Sequence, residues 1–354
     1  MQTGIEKNSV RYSEWEQQVK GSWLFDEPVD IEPAFKPFFF SATPETFAAA
    51  QKKNGLFGKI AGAVKKLFVP RDAFMEQLAQ IKQSPEAFAP AEAGAVTCLR
   101  IEWLTQNITP LLNILANCNY QLSFEIIASG NNSSFQLTCG ESNVADLLQR
   151  LTSAGIQYSF ATTDQLTALV DNNAAITDYG LREAFVKPVN VHTGSIAKAF
   201  IAAANGTDAA LQILFKPVVN NWAENIMRAV ADKRGVGITE AERETATLAK
   251  QKTAYPLYAV VIRTIVDIAE VEAQHSKAAG IEEAVIQNSK SPGNILSPCS
   301  NKNYHPVNHK EDVLQRQSHR VGVLLNRQEL GTFVHMPVVS KAAVKKSERS
   351  DYNQ

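Results

Sequence analysis

Residues 120–139 read YQLSFEIIASGNNSSFQLTC, and this stretch decides the fold. Leu122, Phe124, Ile126 and Ile127 make its first half β-rich, Gly130-Asn131-Asn132-Ser133 is turn chemistry, and Ser134 to Cys139 is a return strand. Upstream, Val96 to Trp103 alternates as a strand and Ile108 to Ala116 has a helical period. Downstream, Asn143 to Ala154 puts Val144, Leu147, Leu148 and Leu151 on one helical face, and Tyr158 to Thr162 is a further strand.

Strand, helix, hairpin, helix, strand is the order of a ferredoxin-like α+β layer. A second, weaker copy follows. Ala209 to Pro217 alternates as a strand, Trp222 to Ala231 and Thr239 to Thr253 read as helices, Tyr255 to Ala269 as a β-branched strand and Glu270 to Ala279 as a helix. The expected fold is therefore α+β, two ferredoxin-like lobes joined near residues 165–205, which raises the question of an internal duplication. Before them, the aromatic and proline-punctuated stretch from Trp15 to Phe40 suits an extended arm whose rings need a surface to cover, followed by short helices. The resulting division is an arm with helices over 1–94, lobes over 95–165 and 166–287, a Pro-rich loop and following segment over 288–340, and a basic tail over 341–354. The Pro/Ala-rich stretch Ser84 to Ala95 is the first linker.

Lys plus Arg number 35 against 36 Asp plus Glu, and the net charge of -1 supplies no global field to draw in nucleic acid. Any DNA contact is expected to be indirect. Four scattered cysteines, without a short repeated spacing, fit free thiols in a reducing compartment. No run of 18 apolar residues exists, and Met1 to Val10 lacks the apolar core of a secretory signal, so a cytoplasmic location is expected.

Five phrases in order resemble the region preceding the motor in bacterial conjugative-transfer-like ATPases, relatives of the HerA/FtsK and TraG/TraD coupling proteins. They are Leu122 to Ile127, Asp178 to Pro188, Leu211 to Val218 with Trp222-Ala223-Glu224, Tyr255 to Arg263, and Leu324 to Pro337. The resemblance covers roughly residues 95–340. In such relatives a glycine-rich phosphate-binding loop follows, whose amides cradle phosphates. This sequence holds no Gly-x-x-x-x-Gly-Lys-Ser/Thr, and Gly55 to Lys59 has the wrong spacing and no hydroxyl after the lysine. What the resemblance implies is an accessory half without hydrolysis of its own, an assembly or docking module for a multimeric HerA/FtsK-like ATPase in conjugation-like DNA transfer or phage defence.

The docking strip implied is Leu324 to Pro337, with Leu324, Arg327, Glu329, Leu330, Phe333, His335 and Met336 as contact residues whose apolar members stay partly exposed until the motor covers them. An alternative is a peripheral membrane adaptor at the inner membrane. Residues 52–68 form an amphipathic pattern in which Lys52, Lys53, Phe57, Lys59, Lys65 and Lys66 would meet an anionic surface. Cys299, His305 and His309 lie within eleven residues and His319 follows, but Pro306 interrupts the helical spacing that a zinc site would use, so exposed loop residues are expected there and no metal. His192-Thr193-Gly194-Ser195 is not a nucleophile elbow. No catalytic residue and no cofactor are expected.

Overall fold

The hairpin forms as its residues dictate. Gly130 adopts φ 58°, which costs a glycine nothing, and Ser129 faces Asn132 across a two-residue turn. This turn joins β2 (Leu122–Ser129) to β3 (Asn132–Gly140). The computed structural model describes residues 15–35, 95–102, 109–170, 174–192, 195–231, 240–267 and 271–334. Around the hairpin lie β1 (Val96–Glu102), α1 (Thr109–Leu115), α2 (Val144–Ser153) and β4 (Gln157–Phe160), followed by the short α3 (Gln165–Leu169). The second half contains β5 (Ala175–Leu181), α4 (Ser195–Ala204), β6 (Asp208–Pro217), α5 (Trp222–Ala231), α6 (Glu240–Thr253), β7 (Leu257–Asp267), α7 (Val271–Ser289) and β8 (Leu296–Pro298). It ends with α8 (Pro306–Gln315), β9 (Val323–Asn326) and α9 (Arg327–Leu330).

The fold is α+β, built on one nine-stranded antiparallel sheet ordered β4-β1-β3-β2-β6-β7-β5-β8, with β9 also on β7. The first four strands have the ferredoxin-like order, and β5 to β8 repeat it in mirror image along the sheet. Both units follow strand, helix, strand, strand, helix, strand, with α5 and α6 inserted in the second. They are fused edge to edge through β2 and β6, from Leu122 opposite Phe215 to Ala128 opposite Ala209. The two lobes thus share a single sheet instead of sitting side by side.

Three differences from the expected boundaries have physical causes. The stretch 165–205, expected as a junction, holds β5 and α4, the first strand and helix of the second unit; Asp178 and Gly180 interrupt the apolar pattern of β5. The helix expected to stop at Ala279 continues through Gly280 to Ser289, because Ile281 and Val285 extend its buried face. In the Pro-rich loop expected from residue 288 onward, Leu296–Pro298 is the last strand of the second unit, and Pro306 starts α8 instead of disrupting a helix. Proline is pre-organised for a first helical position, where its missing N–H would be unpaired anyway.

Side chains alternate across the sheet. One face carries the main core, with Leu99, Phe124, Leu137, Leu211, Ile213, Phe215 and Ile262 together with α4 and α7 residues such as Phe200 and Ile281. The second face is covered by α3, α8 and the arm. The described part of the expected arm, residues 15–35, lies over a core, although residues 15–19 are helical and not extended. Gly322 N–H donates to Ile31 O, Phe25 N–H to His319 O and Val29 N–H to Ser318 O. Trp15 is buried edge-on to Phe185, and Glu32 accepts from Val219 N, Asn220 N and Trp222 Nε1. The arm crosses β5 so closely that a Cβ on Gly180 would stand 2.5 Å from Lys20 O. Trp23 stays 39% exposed, so the arm does not cover all of its own rings. No helix among the described residues is long and apolar enough to cross a membrane.

Candidate functional site

The second face carries one polar row that runs straight across seven strands. Cross-strand partners place Ser159 beside Arg100, Arg100 beside Gln136, Gln136 beside Glu125, Glu125 beside Gln212, Gln212 beside Arg263 and Arg263 beside Asp178. Five of these, from Gln136 to Asp178, are at most 2% exposed. On one side of the row Ile127, Ala210 and Ile265 pack with Leu166, Leu169 and Val313, and on the other Leu214, Ala259 and Val261 pack with Ile31. Charge buried between two apolar patches persists only when it is paired and hydrogen-bonded.

The pairing comes from α8 and the loop after it. Arg316 caps α8 in the left-handed conformation, φ 53° and ψ 42°, which is unfavourable for any residue with a Cβ. That conformation turns its guanidinium onto two carboxylates at once. Nε and Nη2 donate to Glu125 at 2.9 and 3.0 Å, while Nη1 and Nη2 donate to Asp164 at 2.6 and 2.8 Å. Gln136 Nε2 bridges the same carboxylates, and Gln212 Nε2 joins Glu125 to Val313 O. Burial alone would raise the Asp164 pKa, but Arg316 overcomes it and holds the carboxyl at about 2. Burial would lower the Arg316 pKa, and the two carboxylates raise it instead.

At the other end Arg263 Nε donates to Asp178 Oδ1 at 2.8 Å and Arg320 Nε to Asp178 Oδ2 at 3.2 Å. Arg320 also ties in Ser22 O at 2.7 Å and Ser300 O at 2.6 Å. His309 Nε2 lies 3.1 Å from Asp178, and Asp312 meets His319 Nδ1 at 2.9 Å and the Tyr304 hydroxyl. Burial pushes Asp178 up, yet Arg263, His309 and Arg320 hold it well below the usual carboxylate range. Three arginines (Arg263, Arg316, Arg320) thus face four carboxylates (Glu125, Asp164, Asp178, Asp312), but Arg263 meets Asp312 only at 3.7 Å, and Arg263 Nη2, His309 Nε2 and Asp312 Oδ1 are buried without a hydrogen-bond partner.

This row is a keystone of packing. His309 and His319, expected on an exposed loop, are buried within it, while His305 caps α8 by accepting from Val307 N–H. Cys299 is half-buried at the edge of β8 with its thiol pushed up to about 12 by burial, a poor nucleophile. Among the described residues no group of three or more His, Cys, Asp or Glu is arranged to hold a metal ion. On the helical face a shallow groove lies between α1 and α2, lined by Asn113, Asn117, Asp146, Gln149 and Arg150, and its one acid is paired to Arg150 at 2.6 Å.

The strip expected to dock a partner is placed differently from the expectation. Leu324, Leu330 and Phe333 are wholly buried in the main core, so they are not an apolar surface awaiting cover. Glu329 is buried too. It receives Lys252 Nζ and Val189 N–H at 2.8 Å and Asn326 N–H at 2.7 Å, the last closing a capping box on α9. Burial drives the Lys252 pKa down and that of Glu329 up, each opposed by the other's charge. Of the expected contacts among the described residues only Arg327 reaches the surface, its guanidinium over the Tyr255 ring at 5.0 Å and on Asn113 at 2.8 Å. His335 and Met336 lie outside the described residues, as do Lys52, Lys53, Phe57, Lys59, Lys65 and Lys66 of the expected membrane-surface helix, the linker 84–94 and the basic tail 341–354.

Neither a protein-family model nor a curated protein matches the chain.

Proposed function

We propose that the chain is a non-catalytic assembly or docking module for a DNA-translocating ATPase of the HerA/FtsK type. The observation that carries this reading is the way the phrase resembling the motor-proximal segment is built in. Residues 323–326 add to β7 as β9, Arg327 N–H donates to Pro256 O, Ala197 N–H to Thr332 O, and Glu329 is clamped by Lys252. A segment so anchored transmits the orientation of the whole sheet to whatever binds beside it. The buried charges support the same role, because they are spent on holding α8 to the sheet. The net charge of -1 fits DNA contact made through the motor.

With the strip itself buried, docking falls to the surface around α9, where Arg327 and the exposed Gln328 stand. The test is co-elution of the purified chain with a HerA/FtsK-type ATPase from the same genome. The wild-type chain is expected to form a stable complex, and Arg327→Glu to weaken it by on the order of tenfold or more while keeping the thermal midpoint of the chain. Absence of a complex with the wild-type chain would remove the proposal. An unaltered complex with Arg327→Glu would remove this surface from it.

A further inference from the structure

The two ends of the sheet are terminated in opposite ways. Antiparallel pairing makes alternate residues of an edge strand point their main-chain groups outward. On β8, Arg182 N–H bonds Ile295 O and Cys299 N–H bonds Asp178 O, so Leu296 and Pro298 face away from β5. Neither offers a free amide. Leu296 N–H is taken by Ser289 Oγ at 2.9 Å, and Pro298 has no N–H. On β4, the strand equivalent to β8 in the first unit, Ala161 N–H bonds Cys98 O, so Tyr158 and Phe160 face outward. Among the described residues no hydrogen bond engages their main-chain groups. The strand is Gln-Tyr-Ser-Phe, without the lysine, proline or bulge that usually blunts an edge, and Phe160 is 58% exposed.

We infer that the β4 edge pairs with the β4 edge of a second copy of this chain, antiparallel about Ser159. The edge is self-complementary in that register. Tyr158 and the partner's Phe160 exchange both main-chain hydrogen bonds, and the two-fold repeats the exchange. The rings of Phe160 and the partner's Tyr158 fall opposite each other on one face, and Ser159 meets the partner's Ser159 on the other. No residue from 157 to 161 is charged, so no like charges are opposed. Edge-to-edge antiparallel pairing is also how this chain joins its own two units, at β2 and β6.

Sedimentation equilibrium of the full chain tests this. The wild-type chain is expected to show a monomer–dimer equilibrium. Phe160→Pro removes one outward amide per chain without touching the bonds to β1, and Phe160→Lys sets two cations across the two-fold. Each is expected to weaken the dimer by on the order of tenfold or more at an unchanged melting temperature. A wild-type chain that stays monomeric at the highest concentration reached overturns the inference, and so does a dimer that survives both substitutions. Phe160 is exposed and packs little, and should one variant fail to fold, the other decides.

Discussion

Arg316→Met is expected to destabilise the chain by about 3–5 kcal/mol, the usual cost of removing one partner from a buried ion pair. The substitution leaves Glu125, which is 0% exposed, without its cation, and Asp164 without its main partner. Methionine keeps the length and apolar stem of the side chain, so the loss belongs to the guanidinium. Denaturant unfolding that places Arg316→Met below wild type by this amount supports the assignment. A methionine variant as stable as wild type contradicts it. The pH dependence carries the same signature. The Asp164 pKa is depressed on folding, so its contribution is complete above the ordinary value of 3.8 and is lost as pH falls toward about 2. In Arg316→Met that part of the acid sensitivity should disappear, and stability should fall less steeply over this range than in wild type.

Leu330→Asp and Phe333→Asp are each expected to cost more than about 4 kcal/mol and to prevent stable folding at ordinary temperature. Both side chains are 0% exposed in the main core, and Gly331 between them has Leu112 as a neighbour. An unpaired carboxylate at either position has no water to turn to. Circular dichroism on the two variants decides. A melting midpoint within a few degrees of wild type would mean that the strip is solvent-accessible after all and available to a partner.

The periodicity of individual elements was enough to give the first ferredoxin-like unit, because Leu122 to Cys139 states both strands and their turn. The second unit was half legible. Its strands β6 and β7 are long apolar runs, but β5 carries Asp178 and Gly180 where a core strand would be apolar, and β8 has three residues ending in Pro298. The strip 324–334 showed its apolar content and not its cover, since a side chain buried by its own chain and one buried by a partner leave the same pattern in sequence. The polar row left a signal that period-based reasoning passes over. Glu125, Gln136 and Gln212 each stand between two apolar residues in mid-strand, and Asp178 and Arg263 place a charge within β5 and β7. Such residues stay buried only if they meet one another, and the register aligns them. No local signal marks Arg316, whose role depends on a backbone conformation that the residue type disfavours.

The proposed assembly role would be exercised through a partner and not on nucleotide. The measurement that tests this most directly is ATP turnover by the chain alone, by the motor alone and by the two together, each with and without DNA. No turnover above background is expected for the chain alone, and a changed DNA-dependent rate is expected for the motor when the chain is added. Turnover by the chain alone that titrates with its concentration, or a motor whose rate and assembly ignore it, would contradict the account.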